Sequence, residues 1–108
     1  MSTRTYSDAQ EQYIAKHFNG RVTSNSGGTM CGGGDVLTKS FLIEAKTTET
    51  PKKSFSVKKD WIEKAEEQAF EQGKSYSTVA IQFEPEGKNY FVIDENCFRM
   101  LQEVIEGV

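Results

Sequence analysis

Apolar residues recur along this chain with two different periods, and the changes of period mark its elements. Tyr6, Ala9, Tyr13, Ile14 and Phe18 form a rough helical stripe, which predicts a helix over about Asp8 to Phe18. Ser7 with Gln10 three residues later has the pattern of a capping box, and Asn19-Gly20 supplies the stop. Arg21-Val22 starts a short strand. The next stretch, residues 24–34, is so rich in Gly, Ser and Asn that it reads as a loop.

Asp35-Val36-Leu37 and residues 41–47 predict two strands joined by a tight turn around Lys39-Ser40. A polar connection with Pro51 follows, and then a helix is predicted over 57–72, with Ser56 as N-cap and Gly73 as stop. Its apolar positions Trp61, Ile62, Ala65, Ala69 and Phe70 fit the helical period. Residues 77–83 alternate, with Val79, Ile81 and Phe83 on one side, and read as a strand. Glu84-Pro85-Glu86-Gly87 turns the chain into a strand over 89–93. Asp94 caps a last helix reaching about Glu106, with Phe98, Leu101, Val104 and Ile105 apolar. The order predicts one α+β domain over residues 1–108, with a central mixed β-sheet flanked by helices.

Composition narrows the class. The chain of 108 residues has room for a single core, and its hydrophobic share of 36% fits a globular protein. No apolar run approaches the roughly 18–20 residues that span a bilayer, and MSTRTYSDAQ has no signal-peptide pattern, so a cytoplasmic protein without a membrane partner is expected. Cys31 and Cys97 have no metal-like spacing and are expected as free thiols, and His17 is expected to be structural or exposed. The net charge of −3 argues against binding a polyanion by overall charge alone. The charge is uneven, however: Lys46, Lys52, Lys53, Lys58 and Lys59 crowd the middle, and the acidic residues dominate later.

The chemistry concentrates in GGGDVLTKSFLIEAKT, residues 32–47. Residues two apart on a strand share a face, so Glu44 and Lys46 project together, away from Ile43 and Ala45. If the turn has two or four residues, Asp35 lies directly across from Glu44, with Cβ atoms about 5 Å apart. Two carboxylates so placed repel, and a divalent cation with oxygen ligands would relieve them. With Lys46 beside them, such a pair could bind a phosphodiester and activate water; Lys46 could orient the water, act as base or stabilise charge at phosphorus. Taken alone, E-x-K on a strand describes an ordinary solvated sheet face.

Asp35 followed by Glu44-Ala45-Lys46 on the next strand resembles the PD-(D/E)XK nuclease superfamily. Over roughly residues 7–93 the order of elements is most similar to the small Holliday junction resolvases of archaea and their phages. The resemblance implies a restriction-endonuclease-like core and a magnesium-dependent homodimer, with manganese able to substitute, that cuts paired strands of a four-way DNA junction. It assigns Glu11, Asp35, Glu44 and Lys46 to catalysis, the three acids also to the metal. Arg21, Ser26, Lys52, Lys53, Lys58 and Lys59 would contact DNA phosphates, and Gln68 on the second helix would be an accessory residue. The Pro that precedes the Asp in the superfamily is replaced here by Gly34, and the last helix lies outside the match.

Other readings of the same residues are a nicking or restriction-type nuclease of the superfamily, a non-catalytic DNA-binding protein of the same fold, and a small protein-interaction domain resting on the acidic later half. Opposed carboxylates speak against a surface that only binds, because they repel phosphate.

Overall fold

The computed structural model describes residues 3–23 and 35–108. Along the chain come α1 (Thr3–His17), β1 (Arg21–Val22), β2 (Val36–Leu37), β3 (Phe41–Lys46), α2 (Lys59–Glu71), β4 (Tyr76–Gln82), β5 (Asn89–Val92) and α3 (Glu95–Glu106). The strands form one sheet in the order β1-β2-β3-β4-β5. Neighbours are antiparallel except β3 and β4, which run parallel, with α2 as their crossover. The fold is therefore α+β, with a mixed sheet and helices around it.

The sheet is covered on both sides where it matters. On one face Ile14 of α1 packs with Val36, Ile43 and Ala80; on the other, Ala65 and Ala69 of α2 pack with Leu37 and Leu42. β4 is consequently buried from Thr78 to Gln82 without interruption, not half-buried as its alternation predicts. Parallel neighbours with a helix on each face leave no solvated side.

Helix ends show where local chemistry decides and where it does not. Asn19 adopts the left-handed conformation (φ 56°), and Gly20 N–H donates to Ala15 O at 2.9 Å, the long bond of a Schellman motif. Gly73 does the same for α2 (φ 72°), with Lys74 N–H bonded to Ala69 O. At α3, Asp94 accepts from Cys97 N–H at 2.9 Å, as expected of an N-cap.

The starts of the first two helices differ from expectation. α1 begins at Thr3, so Ser7 lies inside it and no capping box forms. α2 begins at Lys59, two residues later than predicted, and its N-cap is Lys58 rather than Ser56. The buried stripe of α1 also shifts. Tyr13 and Phe18 are exposed, and the face toward the sheet consists of Gln10, Glu11 and Ile14. Gln10 Nε2 stands within donating distance of Lys46 O, Ala80 O and Asn89 Oδ1, which ties α1 to three strands. Phe70, expected in the core, is 87% exposed.

His17 is exposed and stacked on Tyr13, and Cys97 is a buried free thiol; Cys31 lies outside the described residues. Among the described residues no helix is long and apolar enough to cross a membrane.

Gly20 shows how closely α1 and β2 approach. A Cβ there would meet Val36 Cγ1 at 2.8 Å and Leu37 O at 2.9 Å. Gly20→Ala is expected to lose about 1–3 kcal/mol in urea denaturation, and an unchanged midpoint would show that the junction can move aside.

Candidate active site

The turn between β2 and β3 determines the register on which the site depends. Thr38 N–H donates to Phe41 O and Phe41 N–H to Thr38 Oγ1, which closes a two-residue connection of Lys39 and Ser40. Val36 then pairs with Ile43 and Leu37 with Leu42. One step further along this register, Asp35 stands opposite Glu44. Asp35 is held from the other side by Thr23, whose N–H donates to Asp35 O and whose Oγ1 accepts from Asp35 N–H, at 2.8 and 2.9 Å. The Thr23 clamp was not anticipated, and the Thr after Arg21-Val22 is its only trace in the sequence.

The electrostatics register the proximity. Burial, and then the neighbouring Glu44 carboxylate, push the Asp35 carboxyl up to about 6, while Lys64 and Lys46 pull it down. Lys64 belongs to α2 and was not predicted. It lies one turn after Asp60 and one turn before Gln68, on the helix that covers this face.

Glu44 is 4% exposed, and neither of its carboxylate oxygens accepts a hydrogen bond. Lys46 Nζ approaches Oε2 to 3.2 Å. The two observations differ only in what they require: the ammonium is close enough for an ion pair but is not aligned as a hydrogen-bond donor, and the attraction is the better description. The Lys46 ammonium also lies 4.7 Å from the centroid of the Trp61 ring, and Lys58 Nζ lies 5.8 Å from it. Trp61 belongs by its spacing to the apolar stripe of the helix. It is instead an aromatic plate beside the candidate lysine, braced edge-on by Phe55.

This face of the sheet is not the open, solvated surface that the E-x-K pattern suggests. Leu42, two residues before Glu44, is under α2, so the same face is core at one end and charged at the other. Parallel pairing places Glu44 beside Val79 and Lys46 beside Ile81.

The remaining predicted residues lie further out. Glu11 is 3% exposed on α1, which packs on the face opposite that of Glu44. Among the described residues, no three Asp, Glu, His or Cys side chains converge closely enough to hold one ion; the close carboxylates are the Asp35–Glu44 pair. Gln68 is partly buried on α2 and its Oε1 has no hydrogen-bond partner. Arg21, Lys52, Lys53, Lys58 and Lys59 are all exposed, and Lys59 reaches Glu63 at 3.8 Å. Ser26 lies outside the described residues.

A divalent cation fits the pair on two grounds. Glu44 is buried with unused lone pairs, and burial, then the like-charged Glu44 beside it, push the Asp35 carboxyl up to about 6. Compared with protein-family models, with curated proteins and with solved structures, the chain has no significant match.

A raised carboxyl pKa links stability to pH. Asp35 binds its proton more tightly in the folded state than an ordinary aspartate at 3.8, so its contribution is complete below about pH 4 and is lost as pH rises through about 6. In EDTA, Asp35→Asn is therefore expected to stabilise the protein at pH 7.5, by up to the order of 3 kcal/mol, and to have little effect at pH 4. Urea denaturation at the two pH values measures this; a less stable variant at pH 7.5 would contradict it. Lys64→Ala is expected to move the Asp35 titration, followed by carboxyl NMR shifts, further upward.

Proposed function

We propose that the chain is a divalent-metal-dependent DNA endonuclease of the PD-(D/E)XK kind, with a restriction-endonuclease-like core, acting on branched DNA such as a four-way junction. The observation that carries the reading is the pairing of Asp35 with the buried, unsatisfied Glu44, with the Lys46 ammonium 3.2 Å from the latter. The arrangement around it also supports the core: an antiparallel β1-β2-β3 unit bearing the residues, and a parallel β4 reached through the helix that covers them.

Asp35 and Glu44 would hold the ion, magnesium or manganese in its place; Glu11, the further acid of the family pattern, belongs to the helix on the other face of the sheet. When bound, such an ion supplies Lewis acidity and charge neutralisation at a phosphodiester oxygen. Everything else falls to the chain. Glu44 fixes the Lys46 ammonium, and Trp61 limits it on another side, so positive charge is held where a scissile phosphate arrives. Lys46 is 29% exposed at its side chain, enough to meet a substrate and too little to wander.

Arg21, Lys52, Lys53, Lys58 and Lys59, all exposed, would follow the flanking backbone without reading bases. Ser26 is part of the same proposal. Gln68 Oε1, buried and unpartnered, suits an accessory role toward a water or a donor at the site. A four-way junction offers two equivalent strands, so two copies of the site in a two-fold arrangement match it.

The test is cleavage of a labelled four-way junction in magnesium, beside a linear duplex of the same sequence. Asp35→Ala, Glu44→Ala and Lys46→Ala are each expected to lower the rate on the order of 1000-fold or more, with far-UV circular dichroism unchanged. If wild type and Asp35→Ala cut at equal rates, or neither cuts any DNA in magnesium or manganese, the nuclease reading fails. Preference for linear duplex would keep the chemistry and remove the junction.

A further inference from the structure

The face of the sheet that carries Glu44 and Lys46 continues past them as a row of aromatic rings. Lys46 pairs with Ile81 and Ile81 with Tyr90, so the three side chains emerge on one side of β3, β4 and β5. Phe83, two residues beyond Ile81, shares that side. From Trp61 the ring centroids step 6.2 Å to Phe55, 6.1 Å on to Phe83 and 5.6 Å to Tyr90, each pair edge-to-face. The row is not a closed core: Tyr90 is 48% exposed and the other three rings are half-buried.

Ammonium groups stand over this row. Lys46 Nζ lies 4.7 Å and Lys58 Nζ 5.8 Å from the centroid of the Trp61 ring, and Lys88 Nζ lies 5.6 Å from that of Tyr90. Between these ends, Lys52 N–H donates to Phe83 O at 2.8 Å, which fixes the exposed Lys52-Lys53 pair beside the third ring. Residues 46–59 hold five lysines and one acid, Glu49, in a chain of net charge −3. The acids next to Phe83 in sequence, Glu84 and Glu86, belong to the exposed turn that follows it.

Cations over half-exposed rings suit a ligand in which anions alternate with flat rings. A purely hydrophobic cluster needs no cations at its faces, and a surface for phosphate alone needs no rings. A nucleotide supplies both: its phosphate takes the ammonium and its base takes the ring face. The steps from ring to ring exceed the ~3.4 Å step of stacked bases, so the row matches an unpaired strand and not a duplex.

We propose that the row from Trp61 to Tyr90, with Lys52, Lys58 and Lys88, binds an unpaired DNA strand that runs from the candidate active site toward the β4–β5 turn. Because the row begins at Lys46, the strand it holds is continuous with the one whose phosphate meets Glu44 and Lys46. The site so extended selects branched DNA that carries a single-stranded arm beside the cut. That the strand is DNA and lies next to a cut rests on the nuclease reading; the affinity for an unpaired strand does not.

Trp61 is the only tryptophan of the chain, so its emission reports on one end of the row. With the full chain in EDTA, oligo(dT) of about 12 nucleotides is expected to quench that emission, and an abasic strand of the same length to bind at least about 10-fold more weakly. Tyr90→Ala is expected to weaken oligo(dT) binding about 10-fold with circular dichroism unchanged. Lys88→Ala should lower the slope of log affinity against log salt by about 0.7. Phe91→Ala should bind as wild type, because Phe91 lies on the opposite face of β5, against Phe18. Equal binding of the abasic strand, wild-type affinity in Tyr90→Ala, an equal loss in Phe91→Ala, or equally tight binding of polyglutamate or oligo(rU) would each overturn the proposal. Junction cleavage by a protein that does not bind oligo(dT) would remove this track and leave the nuclease reading; oligo(dT) binding without any cleavage would do the reverse.

Discussion

The structure turns on one electrostatic conflict: Asp35 and Glu44 occupy opposed positions on neighbouring strands, with Glu44 buried and Asp35 half-buried. A two-residue turn enforces the register, and the Thr23 clamp prevents Asp35 from slipping away. The register places the two side by side, so the repulsion is built into the β2–β3 pairing. Residues that bring positive charge gather around it: Lys46 from the same strand as Glu44, and Lys64 from the helix above. A protein that needed only stability would place Leu or Ile at position 44, as it does at 42 and 43 nearby.

The rest of the fold makes that conflict tolerable. β3 is central, paired along its whole length with β4 and at Leu42 and Ile43 with β2. The α1 face below it is apolar around Ile14, and α2 covers the upper face around Leu42. Between these, Gln10 binds the carbonyl of Lys46, so the strand that carries the lysine is anchored from the side away from the charge. The aromatic series Trp61, Phe55, Phe83 and Tyr90 extends from the Lys46 ammonium across α2 and the β4–β5 hairpin. It gives the lysine a rigid neighbour at the rim of the core.

α3 stands outside this economy. Its N-cap is well made and its C-terminal Gly107 adopts a left-handed conformation, so the helix is locally complete. Among the described residues it covers little beyond Cys97. A helix with one apolar side gains most of its stability from packing that side. The two halves of the molecule therefore divide the labour: α1, α2 and the sheet position charge, and α3 presents apolar area.

Local chemistry made much of this visible in the sequence. Asn19-Gly20, Gly73 and Asp94 act through backbone conformation or a hydrogen bond to an adjacent residue, so their roles follow from identity alone. The short turn and the alternation of Glu44 and Lys46 placed three site residues on two strands for the same reason. Long-range packing had to decide the rest. Gln10 and Glu11 lie in the buried stripe of α1 because strands distant in sequence surround them, which no helical period of apolar residues can reveal. Lys64 and Trp61 join the site only because α2 crosses over β3 as it leads to the parallel β4. Phe70 and the apolar side of α3 satisfy the pattern of a core and lie outside it. Hydrophobic periodicity specifies which side of a helix avoids water, and only the tertiary structure decides whether the same chain supplies the cover.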